Sequence, residues 1–482
     1  MRVRTRIAPS PTGYLHVGNL RTALYAYYVA RQNGGSFFVR IEDTDQERLV
    51  PGAVEALLRT LGRLGIDYDE GPVLNTDGTL AEKGDKGPYV QSNRLDLYKK
   101  YAAQLIETGH AYRCFCTRER LDELRKVQEA TKQPLKYDRA CLNLSAEESA
   151  KRAAAGEAHV VRVRMPDDGV TETKDIIRGT VRFPNADQED FIALKTDGFP
   201  TYHLAHAVDD HLMDTTHVIR GEEWLSSLPK HYRLFDAFGW EKPAYAHLPL
   251  ILNADKSKLS KRQGDVAVED YLAKGYLPEA LENFLSLIGY NPKGDQELYA
   301  REEMIKLFDL SKVNSAGGVF NLEKLDWMNQ QYVQKKAPEE LARLCRPFLA
   351  APVDDALLLK LCTVERARLV KLTDINASVA TFGPLSDYDA ASLVWKKADT
   401  EDAVRSIQAV AKLLEGLPET TFQDLKALET EVLGYIAANG LKNGNVLWPT
   451  RVALSGRAMS PGPFEYAFVL GKAETLRRLD LG

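Results

Sequence analysis

VRTRIAPSPTGYLHVGNLRTALYAYYVARQNGGSFFVRI, residues 3–41, holds two strand patterns on either side of one helix pattern. Val3, Thr5 and Ile7 alternate at the period of a strand, and the Pro/Gly-rich loop PSPTG at 9–13 follows. Leu20, Ala23, Leu24 and Tyr27 recur at helical spacing until Asn33-Gly34-Gly35, a combination that stops a helix. Phe37 to Ile41 is a short apolar run with β-favouring residues, the pattern of a buried parallel strand. Val54, Leu57, Leu58, Leu61 and Leu64 form the next amphipathic helix, with Pro51 near its start. A β-α-β unit followed by a further helix is how a doubly wound nucleotide-binding domain begins. The expected fold is therefore α/β, with a Rossmann-type doubly wound parallel sheet.

Further along the chain this pattern breaks at about residue 85. The segment to 190 is more polar and carries Cys114, Cys116 and Cys141, and it reads as an α+β insertion into the α/β domain. Strand patterns resume at Phe191–Leu194, His217–Arg220 and His247–Leu252. Beyond about 300 helical periodicity takes over. Val404, Ile407, Ala411 and Leu414 make one stripe; Leu425, Leu428 and Val432 begin another, ended by Asn439-Gly440. The expected division is a catalytic domain over 1–85 and 191–300, an insertion over 86–190, a connecting segment over 301–335 and an all-helical region over 336–482.

A chain of 482 residues exceeds one ordinary domain, and 44% hydrophobic with 27% charged residues suits several buried cores. No apolar run approaches the roughly 20 residues of a spanning helix, and the start MRVRTRIAPSPTG lacks the apolar stretch of a signal peptide. Five cysteines do not make a disulfide framework, which favours a cytoplasmic location. A net charge of −5 argues against bulk, non-specific nucleic-acid binding but leaves room for local basic surfaces.

Two motifs carry chemistry. Ala8 to Asn19, APSPTGYLHVGN, spans the first strand-to-helix turn, where open parallel sheets bind ligands and free N–H groups favour phosphate. Gly18 allows close approach of a nucleotide, and His16 can donate to a phosphate oxygen; alone, H-x-G reads more readily as a loop with a surface histidine. The second is Lys258-Leu-Ser260-Lys261-Arg262, following the strand at 247–252 and the polar turn at 253–257. Its cations suit charge developing on a leaving pyrophosphate, although three or four Lys/Arg on their own are usually a solvated loop.

Together these motifs resemble the HIGH and KMSKS signatures of class I aminoacyl-tRNA synthetases, with Asn19 in place of the last His and Leu259 in place of Met. RIAPSPTG at 6–13, RIEDTD at 40–45, YHLAHAVDDH at 202–211, VIRGEEW at 218–224 and KLSKR at 258–262 narrow the resemblance to glutamyl-tRNA synthetases.

The resemblance implies an activity and a set of roles. Glutamate is activated with ATP to glutamyl-adenylate and transferred to the 3′-terminal ribose of tRNA-Glu, with Mg²⁺ bound to the ATP. His16, Gly18, Asn19, Lys258, Ser260 and Lys261 would serve ATP, with His16 and Lys261 assisting the chemistry. Arg6 and Arg220 would face the carboxylates of glutamate, Ala8 and Ser10 would contact it, Glu42 would pair with its ammonium group and Tyr202 would pack on it. His206, which stands where similar sequences often have Asn, would also contact the glutamate. Read without the resemblance, Arg6, Glu42 and Arg220 fit an ordinary ion-pair network at strand ends slightly better than a substrate site. Cys114, Cys116, Tyr137 and Cys141 resemble a zinc knuckle, with Asn143 where many relatives have a histidine; the alternative is three reduced thiols. The insertion would meet the acceptor stem, and Arg368, Arg451 and Ser460 would fall near the anticodon. The expected working unit is a monomer. Charging of tRNA-Gln as well as tRNA-Glu remains open, and a non-tRNA nucleotidyltransferase is the more distant alternative.

Overall fold

Strand β1 (Arg4–Ile7) pairs in parallel with β2 (Ser36–Val39), Arg6 opposite Phe38, and helix α1 (Val17–Gln32) is the crossover between them. Leu20, Ala23, Leu24 and Tyr27 are buried on α1, and the helix closes at Asn33 with Gly34 in the left-handed region at φ 57°. The next helix, α2 (Ala53–Arg63), buries Leu57, Leu58 and Leu61. This is a computed structural model, and it describes residues 2–259, 265–292, 294–385, 387–396 and 398–480.

The chain forms two units. The first comprises Met1–Ala273 and Pro278–Leu325. After α2 it continues with the hairpin β3 (Gly71–Leu74) and β4 (Leu80–Lys83), then α3 (Leu95–Glu107), β5 (Ala111–Cys114), α4 (Arg118–Ala130), α5 (Ala146–Ala154) and β6 (Val160–Val163). Next come the hairpin β7 (Val170–Asp175) and β8 (Gly179–Pro184), and β9 (Phe191–Leu194), which completes an antiparallel sheet in the order β5-β6-β9. The parallel pattern then returns with α6 (Tyr202–Leu212), β10 (His217–Gly221), α7 (Leu228–Phe238) and β11 (Ala244–Leu248). β10 and β11 are parallel, with Arg220 opposite His247. Thr216, just before β10, donates its N–H to the Arg4 carbonyl at 3.0 Å and accepts from the Arg4 N–H through its hydroxyl at 2.8 Å, which sets β10 beside β1. β7 lies within the expected insertion at 86–190, yet it joins β11, with Asp175 opposite Tyr245.

The expected strand over 247–252 is two strands. After β11 the chain breaks at Pro249, which has no N–H to give to a ladder, and the Leu250 N–H turns to the Glu222 carboxylate at 2.8 Å. It resumes as β12 (Ile251–Leu252), which pairs with β13 (Gly318–Val319). Helices α8 (Val268–Ala273), α9 (Pro278–Leu287) and α10 (Arg301–Leu307) complete this unit.

The second unit comprises Lys274–Leu277 and Asp326–Gly482, and among the described residues it is all helical. It takes most of α11 (Leu322–Gln334), then α12 (Pro338–Cys345), α13 (Asp355–Glu365), α14 (Ile375–Thr381), α15 (Thr400–Gly416), α16 (Leu425–Ala438), α17 (Asn443–Ser455) and α18 (Pro463–Leu479). The buried stripe of α15 is Ala403, Ile407, Val410 and Leu414; Val404 and Ala411 lie at its margin. On α16 the stripe is Leu428, Val432 and Ile436, as the spacing of its first members requires. No helix among the described residues is long and apolar enough to cross a membrane.

Candidate functional site

Parallel strands offer a ligand their carboxyl ends. There the first unit holds a cavity of about 800 Å³. Arg6, Ala8 and Ser10 reach it from β1 and the loop after it, Asn19 from α1, Glu42 from beyond β2, Tyr202 from the start of α6 and Arg220 from β10.

Arg6 and Arg220 flank this cavity, but they are held differently. Arg6 is paired with Asp210 of α6, its Nε 3.1 Å from Oδ1 and Nη2 3.3 Å from Oδ2. Arg40, fully buried, bonds Asp210 at 2.7 Å and Glu42 at 2.9 Å. Burial opposes ionisation of Asp210, but Arg6 and Arg40 outweigh it and hold the carboxyl at about 2. For Glu42 burial wins, and its pKa is raised in spite of Arg40 and Arg6. Arg94 and Asp209 form a neighbouring buried pair at 2.7 Å.

Arg220 is 5% exposed, and no carboxylate among the described residues lies within ion-pair distance of it. Its partners are neutral acceptors: Nε donates to His247 Nε2 at 2.9 Å, Nη1 to the Tyr202 hydroxyl at 3.0 Å, and Nη2 to the Trp224 carbonyl and His231 Nδ1, both at 3.3 Å. Burial, with Arg220 close by, keeps these imidazoles neutral. His247 is held below the ordinary histidine value and His231 well below it. A guanidinium solvated only by neutral groups can accept a bound carboxylate as its counter-ion.

His206 is fully buried behind Tyr202, stacked on His231 with ring centroids 4.2 Å apart. It reaches the cavity only through Tyr202, whose hydroxyl is 3.4 Å from His206 Nδ1. His206 Nε2 is 3.2 Å from Asp210 Oδ2 but makes no hydrogen bond of good geometry there, and burial with Arg220, Arg6 and Arg40 keeps the ring neutral.

The described residues that follow the second motif pair with the first. His16 caps α1, its Nδ1 accepting from the Gly18 N–H at 2.9 Å. A Cβ on Gly18 would meet that nitrogen at 3.1 Å, so glycine here spares the cap. The backbone around His16 pairs with the segment after the cationic loop: Val17 N–H donates to the Val266 carbonyl and Val268 N–H to the Leu15 carbonyl, both at 2.8 Å. At the other end of the loop, the Leu259 N–H donates to the Ile251 carbonyl at 3.0 Å, beside Lys258. Ser260 and Lys261 lie outside the described residues.

In the β5-β6-β9 region, Cys114, Cys116 and Cys141 place their sulfurs within 4.8 Å of one another. The Tyr137 phenol completes the group, 3.2 Å from Cys114 Sγ and 3.3 Å from Cys116 Sγ, and Cys116 and Cys141 are 3.5 Å apart. A tetrahedral zinc with bonds of about 2.3 Å to sulfur sets its ligands roughly 3.5–3.8 Å apart. Three thiols and a phenol at these spacings fit that ion with small adjustments.

In the second unit, Arg368 is held by Glu365 at 2.9 Å and by both oxygens of Glu465 at 2.9 and 3.0 Å. Arg451 lies over the Trp448 ring at 4.5 Å and donates to the Ala458 carbonyl at 2.6 Å. Ser460 bonds the Ser455 hydroxyl at 3.2 Å. All three therefore border the turn from Ser455 to Glu465, where Met459 is 90% exposed.

Sequence reasoning missed several cavity residues. Trp224 packs on Tyr202 with ring planes tilted by 36° and centroids 4.2 Å apart; it lies inside the quoted VIRGEEW string, which was its only signal. Lys195 and Arg48 also line the cavity, and nothing in their local sequence marks them.

Comparison with known proteins agrees with this arrangement. Residues 2–327 match the catalytic domain of class I tRNA synthetases (E and Q), and residues 340–482 match an anticodon binding domain. The cavity, the paired motifs and the helical unit are thus those of a class I aminoacyl-tRNA synthetase. A glutamate–tRNA ligase of Clostridium botulinum is 44% identical over 485 residues, covering 100% of this chain and 98% of the relative. One from Clostridium acetobutylicum is likewise 44% identical over 483 residues, with 100% and 98% covered. A crystal structure of a glutamate tRNA ligase from Elizabethkingia meningosepticum, in complex with its amino acid, superposes with a TM-score of 0.87 at 35% identity, covering 100% of this chain and 99% of that one. The chain belongs to the glutamate–tRNA ligase family.

Proposed function

We propose that this enzyme activates L-glutamate with ATP and esterifies it to the 3′-terminal ribose of tRNA-Glu, giving L-glutamyl-tRNA-Glu, AMP and diphosphate. The observation that supports this reading most directly is Arg220: a buried cation on the cavity wall whose partners are all neutral. An anionic substrate group supplies the missing charge, and Arg6, on the other flank, offers a second guanidinium. Glutamate has the two carboxylates for this pair, and Glu42 offers its carboxylate to the ammonium group.

The substrate α-carboxylate forms a bond to the α-phosphorus of Mg·ATP as the bond to diphosphate breaks. A ribose hydroxyl of the tRNA then attacks the acyl carbon and releases AMP. Positioning and electrostatics carry both steps, and no side chain need become a covalent nucleophile. At the His16 turn the phosphates meet the positive end of the α1 dipole and the His16 imidazole, while Lys258 and Lys261 neutralise the departing diphosphate and Ser260 offers it a hydroxyl. Cys114, Cys116, Cys141 and Tyr137 would hold a zinc ion, which with four protein ligands is structural and ties the knuckle together. Residues 86–190 then meet the acceptor stem, 301–335 continue that contact, and 336–482 read the anticodon, with Arg368, Arg451 and Ser460 at hand.

The test is charging with labelled glutamate on purified tRNA-Glu and tRNA-Gln in separate reactions. Charging of tRNA-Glu is expected. Incorporation into neither tRNA would sink the reading, and incorporation into both would define the enzyme as non-discriminating.

A further inference from the structure

Two buried titratable residues stand behind the cavity without touching it. Asp175 ends β7, and His247 lies on β11 directly opposite Arg220 in the parallel register. Both are almost wholly buried. The Asp175 carboxylate is saturated with donors. Its Oδ1 accepts from the N–H groups of Ile177 and Arg178 at 2.9 and 2.8 Å, and its Oδ2 accepts from the His247 N–H at 3.0 Å. Oδ2 also lies 2.6 Å from His247 Nδ1.

That last contact decides the state of the imidazole. A carboxylate can only accept, so Nδ1 carries the proton and Nε2 is left with a lone pair. Nε2 is the atom 2.9 Å from Arg220 Nε. The opposite tautomer would set an N–H against the guanidinium N–H. The neutral histidine is the form that burial favours, and the hydrogen bond that His247 gives to Asp175 opposes that only in part.

We propose that Asp175 and His247 are positioning residues for substrate binding: Asp175 fixes the His247 tautomer, and His247 holds Arg220 turned toward the cavity to receive a glutamate carboxylate. This rests on the reading of Arg220 as a substrate contact. It also explains why β7 is drawn from the inserted segment to the catalytic strands, since that strand delivers the carboxylate to the imidazole. The logic is that of a carboxylate orienting a histidine in a hydrolytic triad, with a guanidinium in place of the nucleophile.

The experiment is steady-state charging of tRNA-Glu by the full chain, with KM for glutamate and for ATP measured separately. His247→Phe keeps the bulk of the ring and removes the acceptor, and His247→Gln restores an acceptor near the Nε2 position with no tautomer to fix. His247→Phe is expected to raise the glutamate KM by at least tenfold with the ATP KM within twofold, and His247→Gln to recover most of that loss. Asp175→Asn, which keeps an oxygen for the Ile177 and Arg178 N–H groups and turns its amide NH2 toward His247, is expected to raise the glutamate KM by at least fivefold in the otherwise native enzyme. Combined with His247→Gln it should add less than twofold. Thermal melting of each variant reports folding, and His247→Gln keeps the test alive if the Phe variant is unstable. An unchanged glutamate KM in His247→Phe would overturn the proposal, as would a parallel rise in the ATP KM or an equal cost of Asp175→Asn in both backgrounds. A wild-type enzyme that does not charge glutamate fails the functional reading instead, so the two failures are distinct.

Discussion

Arg6 and Arg220 lie on neighbouring parallel strands at the same cavity, with the same charge and nearly the same burial, yet the protein treats them in opposite ways. Arg6 is built into a lattice of charge with Asp210, Arg40 and Glu42. Arg220 is surrounded by two imidazoles, a phenol and a carbonyl. A paired buried ion is part of the folded state, and removing it strands its partner. An ion held by neutral acceptors keeps its charge for a ligand, and the fold carries the cost. One arginine serves structure and site together, while the other serves mainly the site.

The largest expected effect separates the two directly. Arg220→Gln should lower kcat/KM for glutamate by about 10³-fold or more, the scale for losing a buried charge-assisted contact, while melting within about 2 °C of wild type. Arg6→Gln should also lose activity, and in addition lose on the order of 3 kcal/mol of stability, because buried Asp210 is left with Arg40 as its one cationic partner among the described residues. Calorimetry beside steady-state kinetics checks both; equal loss of stability in the two variants would erase the contrast. Measuring glutamine alongside glutamate sharpens it further, since whichever arginine reads the side chain should narrow the glutamate preference when replaced.

Next in size is Lys261→Ala, which should slow adenylate formation about 100-fold, the loss of one preorganised transition-state contact, with glutamate affinity intact. Single-turnover rates decide it, and a wild-type rate would remove Lys261 from the chemistry.

A smaller effect distinguishes the two corners by pH. His203, His206 and His231 have folded values below the ordinary 6.5, through burial and the nearby arginines. As pH falls through 6.5 the unfolded chain takes up protons that the folded chain refuses, so stability is lost below that point, by at most about 1.4 kcal/mol per pH unit for each histidine. Asp210 behaves differently. Its depressed value near 2 contributes stability that is fully present above 3.8 and lost only as pH approaches 2. Melting temperature should therefore fall between pH 7 and pH 5, and Arg6→Gln, which removes only a lesser cause of the His206 depression beside burial, should leave most of that slope in place.

The smallest expected change lies outside this comparison. Arg451→Ala should raise the KM for tRNA a fewfold to about tenfold and leave the glutamate KM unchanged, as the loss of an RNA contact that takes no part in holding glutamate would. A shift in the glutamate KM alone would remove Arg451 from the RNA surface.

Much of this was legible in the chain itself. The β-α-β opening needs only local periodicity and turn residues, and α1 and α2 lie where the spacing of their leucines puts them. The cavity residues Arg6, Ala8, Ser10, Glu42, Tyr202 and Arg220 were readable because they sit inside distinctive strings. What surrounds them was not. The Arg6–Asp210 pair joins residues 204 apart and the His247–Asp175 contact residues 72 apart, and no local pattern records a partner at that distance. The break at Pro249 was visible as a residue but not as an interruption, because the apolar run carries straight through it. His206 read as a substrate contact from its neighbours in the string; helical geometry turned it behind Tyr202.

The place of β7 bears on how this protein can be taken apart. A segment bounded by 86 and 190 invites excision as a cassette, with the flanking halves rejoined. That operation would carry away Asp175 and leave the His247 imidazole and N–H without their acceptor. The rejoined chain could keep every signature string and still hold Arg220 poorly. Chimaeras that exchange the insertion between relatives should therefore be cut between Val163 and Val170, leaving the β7–β8 hairpin with the strands it completes.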